Sequence, residues 1–233
     1  MSNPKVQRFD NLGTLSQQLA TQIAVALRHG IATRGLASLV VSGGQTPIKL
    51  FELLRQQKLD WTHVCIALAD ERWVESRDLA SNEKLVREVL LQDQAAKARF
   101  LGLKNAAPTP DMGAVSAWET FARVPRPFDH VVLGMGDDGH TASLFPASPN
   151  LTSALNPQAA AACVAMLAPV TPHARLSLNL SALLDAKNIT LMINGASKWQ
   201  RYQAACTPGP AADMPIRGVL HQESTPIQVL WAP

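Results

Sequence analysis

Leu36-Ala37-Ser38-Leu39-Val40-Val41-Ser42-Gly43-Gly44-Gln45-Thr46-Pro47-Ile48-Lys49-Leu50-Phe51-Glu52-Leu53-Leu54 decides the fold. Leu36 to Val41 is short, apolar and β-branched, as a buried strand requires. Gly43-Gly44 then allows a tight turn, and Pro47 suits the first turn of a helix because it lacks a backbone N–H. Ile48, Leu50, Phe51 and Leu54 follow at helical spacing, so the stretch reads as strand, glycine turn, helix.

The unit recurs along the chain. Val64 to Leu68 is a strand that runs into Asp70-Glu71-Arg72, after which Ser81 caps a helix carrying Leu85, Val86, Val89 and Leu90. A first helix spans Thr14 to His29 and stops at Gly30 or Gly35, and another surrounds Val115, Trp118 and Phe121, with Asn105 to Pro110 as loop before it. Strands are expected at His130–Leu133, Ala174–Leu180, Ile189–Ile193 and Ile227–Trp231, with a helix at Ala196–Ala205 and a short strand at Cys163–Leu167. Strands that are apolar on both faces and alternate with helices imply an α/β fold, an open and largely parallel sheet flanked by helices on both faces. Residues 1–233 are expected to form one such domain.

Composition narrows the partners. A formal charge of +3 without any Lys/Arg block argues against nucleic acid and suits an anionic metabolite. The N-terminus is polar and no run could span a bilayer, so a soluble, cytoplasmic protein with no membrane partner is expected. Cys65, Cys163 and Cys206 sit among apolar or small residues and read as buried packing residues. No His or Cys pair has metal-ligand spacing, so no metal site is expected. Oligomeric state is open between a monomer and a small homo-oligomer.

The chemistry gathers where strands end. Gly134-Met135-Gly136-Asp137-Asp138-Gly139-His140-Thr141-Ala142-Ser143-Leu144-Phe145-Pro146 follows the strand ending at Leu133, where a helix could begin, and sets a carboxylate two residues from an imidazole, a spacing suited to proton transfer. Ser42-Gly43-Gly44-Gln45-Thr46-Pro47 offers backbone N–H groups and a helix N-terminus to an anion, although it is neither a Walker A loop nor a dinucleotide fingerprint. Asp70-Glu71-Arg72 reads in isolation as a surface turn with an internal ion pair, and Arg72 as a possible oxyanion ligand. Arg175 and Lys198 are further candidate phosphate cations. Trp73, beside the charged turn, reads as packing.

Together these motifs, with Ser81-Asn82, Arg175-Leu176-Ser177 and Asn194-Gly195, resemble the 6-phosphogluconolactonase family over nearly the whole chain. That family is similar in fold to the glucosamine-6-phosphate deaminases, which carry a carboxylate after the histidine where this chain has Ser143-Leu144-Phe145-Pro146. Gln45 stands where the lactonases commonly have serine. The resemblance implies hydrolysis of 6-phospho-D-glucono-1,5-lactone to 6-phosphogluconate in the oxidative pentose phosphate pathway, with no cofactor. It implies His140 as the base acting on water, Asp138 as its orienting partner and Arg72 or glycine-turn N–H groups at the oxyanion. Ser42, Gly43, Gly44, Thr46, Arg175 and Lys198 would hold the phosphate. The alternatives are an amino-sugar phosphate deaminase or isomerase, and a sugar-phosphate sensor without chemistry, for which the polar N-terminus leaves little room for a DNA-binding segment.

Overall fold

The structure, a computed structural model, describes residues 4–233. Its strands are β1 (Lys5–Arg8), β2 (Ala37–Val41), β3 (Val64–Leu68), β4 (Asp70–Arg72), β5 (Arg99–Leu101), β6 (His130–Leu133), β7 (Cys163–Leu167), β8 (Ala174–Leu178), β9 (Ile189–Asn194) and β10 (Ile227–Ala232). Its helices are α1 (Leu12–Arg34), α2 (Ile48–Leu54), α3 (Asn82–Leu85), α4 (Pro110–Phe121), α5 (Leu151–Ala154), α6 (Leu180–Leu184), α7 (Ala196–Cys206) and α8 (Ile216–Leu220).

Seven strands form one parallel sheet in the order β1-β10-β9-β6-β2-β3-β5. Every residue of β2, β3 and β6 is buried, which requires cover on both faces, and the helices supply it. From β2 the chain steps to β3 and β5 on one side, then returns to lay β6 on the other, so strand order reverses between β2 and β6. A crevice at the carboxyl ends of two such strands is where open α/β sheets bind ligands. Among the described residues, no helix is long and apolar enough to cross a membrane.

Several expectations need correction. The first helix extends beyond the expected Thr14–His29, running from Leu12 through Gly30, and ends at Gly35, one of its two expected stops, which adopts φ 77° and returns its N–H to the Ile31 carbonyl. A second, antiparallel sheet β4-β8-β7 was not expected, and neither were β1 and β5. Asp70-Glu71-Arg72 is not a surface turn: it is strand β4, at one edge of the second sheet, with Asp70 and Glu71 buried. Glu71 accepts hydrogen bonds from the backbone N–H groups of Arg72, Asn82 and Glu83 and from Ser81 Oγ. Burial pushes its carboxyl upward against those donors. The strand expected at Ala174–Leu180 stops at Leu178, because Asn179 turns to cap α6. Cys206 is exposed, on the solvent side of α7, whereas burial pushes the thiols of Cys65 and Cys163 up to about 11 and about 12.

Candidate active site

After β6 the backbone does not start a helix, contrary to the expectation for Gly134–Pro146, and α5 begins only at Leu151. Local hydrogen bonds hold the segment as a folded loop instead. Thr141 Oγ1 donates to the Gly134 carbonyl at 2.9 Å, Gly136 N–H to the His140 carbonyl at 2.8 Å, and Gly139 N–H to the Gly136 carbonyl at 3.1 Å. The loop therefore doubles back beside the end of β6 and presents His140.

His140 Nδ1 lies 2.6 Å from Asp138 Oδ1, which also accepts the His140 backbone N–H at 3.0 Å. Partial burial pushes the Asp138 carboxyl up, but these bonds from imidazole and backbone outweigh it and hold the group down at about 2. The carboxylate is thus ionised at neutral pH, so Nδ1 carries the proton it donates, and the Nε2 lone pair is left to act. Phe145 packs on the imidazole with ring centroids 4.2 Å apart. Gly136 backs the same ring so closely that a Cβ on it would stand 2.0 Å from Nδ1.

The expected site residues come together in one cavity of about 340 Å³ at the β2/β6 switch. Ser42, Gly43, Gly44 and Thr46 line one wall, and Arg72, His140, Arg175 and Lys198 complete it, while Asp138 stands behind His140. Thr46 Oγ1 donates to Asn194 Oδ1 at 3.1 Å, which ties the turn after β2 to the end of β9. Gln45 also lies on the wall. Trp73 does not: its indole packs on the core and donates to the Ala107 carbonyl at 3.2 Å.

The cavity is electrostatically strained toward an anion. Arg72 and Arg175 are direct partners in the antiparallel β4/β8 pairing, a like-charge placement that destabilises a sheet. Arg72 Nη1 reaches the Ala80 carbonyl, but Arg175 Nε is buried with no partner, as is Ser42 Oγ. Burial, and then the Arg72 guanidinium alongside, hold Arg175 below its ordinary value, partly opposed by Asp70 and Glu71. A bound anion would relieve both the repulsion and the unmet donors.

Among the wall residues to which the sequence reading gave no role are Asp70 and Ser143. Asp70 lines the cavity and accepts from Ser143 Oγ at 2.5 Å, and Ser143 N–H donates to Ser177 Oγ at 3.2 Å. The only signal was Asp70 opening a charged triplet directly after the apolar run from Cys65 to Ala69.

Comparison with known proteins agrees with this architecture. The family model described as glucosamine-6-phosphate isomerases/6-phosphogluconolactonase matches residues 10–231. A protein of Pseudomonas putida named 6-phosphogluconolactonase is 43% identical over 229 residues, covering 98% of this chain and 93% of the relative. The crystal structure of a 6-phosphogluconolactonase from Shewanella baltica superposes with a TM-score of 0.96 at 49% identity, covering 100% of this chain and 99% of that one. A monomeric glucosamine-6-phosphate deaminase shares the fold, with a TM-score of 0.78 at 18% identity over 98% of this chain and 97% of that one. With the motifs, the sheet order and the cavity in accord, the chain belongs to the glucosamine-6-phosphate isomerase/6-phosphogluconolactonase family.

Proposed function

We propose that the protein hydrolyses 6-phospho-D-glucono-1,5-lactone to 6-phosphogluconate, the reaction of the pentose phosphate pathway for which its nearly half-identical relatives are named. The observation that carries the mechanism is the 2.6 Å pair of Asp138 and His140 on the wall of an anion-seeking cavity. His140 Nε2 removes a proton from water as the water oxygen bonds to the lactone carbonyl carbon. The tetrahedral oxyanion lies against Arg72 or N–H groups of the glycine loops. As the intermediate collapses, the bond to the ring oxygen breaks and the imidazolium returns its proton to that oxygen, which leaves as a hydroxyl on the open chain. Asp138 keeps the imidazole in the required tautomer and stabilises its transient charge.

Ser42, Gly43, Gly44, Thr46, Arg175 and Lys198 hold the phosphate, whose binding energy orients the ester toward the water. In His140→Ala, turnover of freshly generated lactone, corrected for spontaneous hydrolysis, is expected to fall by about 10² to 10⁴. Turnover near that of the wild type would overturn the mechanism, and ammonia release from glucosamine 6-phosphate by the wild type would overturn the substrate assignment.

A further inference from the structure

Lys198 lines the cavity, but its ammonium is already engaged. Its Nζ lies 3.1 Å from Asp137 Oδ1, and the same oxygen accepts a hydrogen bond from Ser197 Oγ at 3.1 Å. Asp137 belongs to the loop after β6, one residue before the partner of His140, whereas Ser197 and Lys198 lie in the first turn of α7. That 11-residue helix has Gly195 at its N-cap and no side-chain cap of its own. The Asp137 carboxylate therefore sits where an anion is favoured, at an uncapped helix start beside an ammonium and a hydroxyl. Bonds from Lys198 and Ser197 hold its carboxyl below the usual range, with Arg201 adding a smaller pull. Yet Asp137 is not on the cavity wall and its side chain is 70% exposed, so the pair draws the ammonium toward the rim.

We propose that Asp137 is a positioning residue that competes with the substrate phosphate for Lys198, holding the cation in the unliganded protein and limiting how tightly phosphorylated ligands are gripped. This rests on the reading of Lys198 as a phosphate cation. An arriving phosphate must share Lys198 with a carboxylate or displace it, and Asp137 reclaims the ammonium when the phosphorylated product leaves. The exposed pair sets a modest scale for this competition.

The test measures inhibition by 6-phosphogluconate and by unphosphorylated gluconate in the wild type, Asp137→Asn, Asp137→Glu, Lys198→Met and the Asp137→Asn/Lys198→Met double variant. Asparagine retains an oxygen for Ser197 and removes only the charge. It is expected to tighten 6-phosphogluconate about two- to fivefold and lower KM similarly, with kcat equal or reduced. Gluconate inhibition should not change, Asp137→Glu should resemble the wild type, and the tightening should shrink at about 0.5 M salt. In the Lys198→Met background the substitution should have no effect. Weaker binding in Asp137→Asn, or tightening that persists without Lys198, would overturn the competition while leaving the phosphate reading intact. Unchanged 6-phosphogluconate affinity in Lys198→Met would instead overturn the phosphate reading itself.

Discussion

Gly136→Ala places one methyl group against the proposed base and leaves the rest of the site alone. The backbone at Gly136 is not in the left-handed region that disfavours a side chain, so the residue itself is not conformationally excluded. The added Cβ would stand 2.0 Å from His140 Nδ1, 2.1 Å from Cε1 and 2.6 Å from Asp138 Oδ1, whereas ordinary contact begins near 3.4 Å. The imidazole must therefore retreat by more than about 1 Å, lengthening or breaking its bond to Asp138; a displacement of about that size costs on the order of 10²-fold in rate. Since Thr46, Arg175 and Lys198 lie elsewhere on the cavity wall, the loss is expected in kcat, with KM changed by no more than a few fold. The assay couples freshly generated lactone to oxidation of 6-phosphogluconate, with the uncatalysed rate subtracted, and circular dichroism confirms that the variant is folded. A folded Gly136→Ala enzyme with kcat within threefold of the wild type would refute the claim that this imidazole, held in this place, does the chemistry.

Two further outcomes follow from the titrating groups. Asp138→Asn keeps an acceptor for Nδ1 but removes the charge proposed to steady the imidazolium; with the side chain 39% exposed, solvent screening reduces the effect to about 1–2 kcal/mol, or roughly 5- to 30-fold in kcat. A loss confined to KM would contradict that role. His130, the first residue of β6, is buried, its Nε2 2.8 Å from Thr190 Oγ1, and burial pushes its imidazole down to about 4. The unfolded chain takes up this proton near pH 6.5, so the stability from the neutral ring is present above that pH and is lost as pH falls toward 4, by about 3 kcal/mol. Urea titrations from pH 7 to 4 should show a correspondingly shallower decline in His130→Gln, and equal slopes for the two proteins would contradict the assignment.

Much of the architecture was legible because burial leaves a compositional trace. Leu36–Val41 and Ile189–Ile193 are apolar runs bounded by glycine or a polar turn, and the sheet places both in its interior. Lys5–Arg8 and Arg99–Leu101 left no such trace, since both are edge strands of three or four residues with exposed polar positions. Strand β4 misleads for a different reason: the carboxylates of Asp70 and Glu71 are satisfied largely by residues ten or more positions away, such as Asn82 and Ser143, which no local pattern reveals. The loop after β6 shows the same division. Its reactive groups were readable from composition, while its turn geometry depended on hydrogen bonds such as Thr141 to Gly134 that compete with helix formation.

The reversal of strand order between β2 and β6 also constrains how the protein comes into being. The Ser38–Asp129 hydrogen bond beside that junction spans 91 residues, and the Thr46–Asn194 bond across the cavity spans 148. Such distant closures are entropically slow, and the second needs the chain through Asn194. The proposed phosphate-binding residues run from Ser42 to Lys198 with His140 between them, so an intermediate with only β2, β3 and β5 paired would have secondary structure and no activity. Recovery of turnover during refolding therefore times the last long-range closure of the sheet, whereas recovery of circular dichroism times the earlier, local ones.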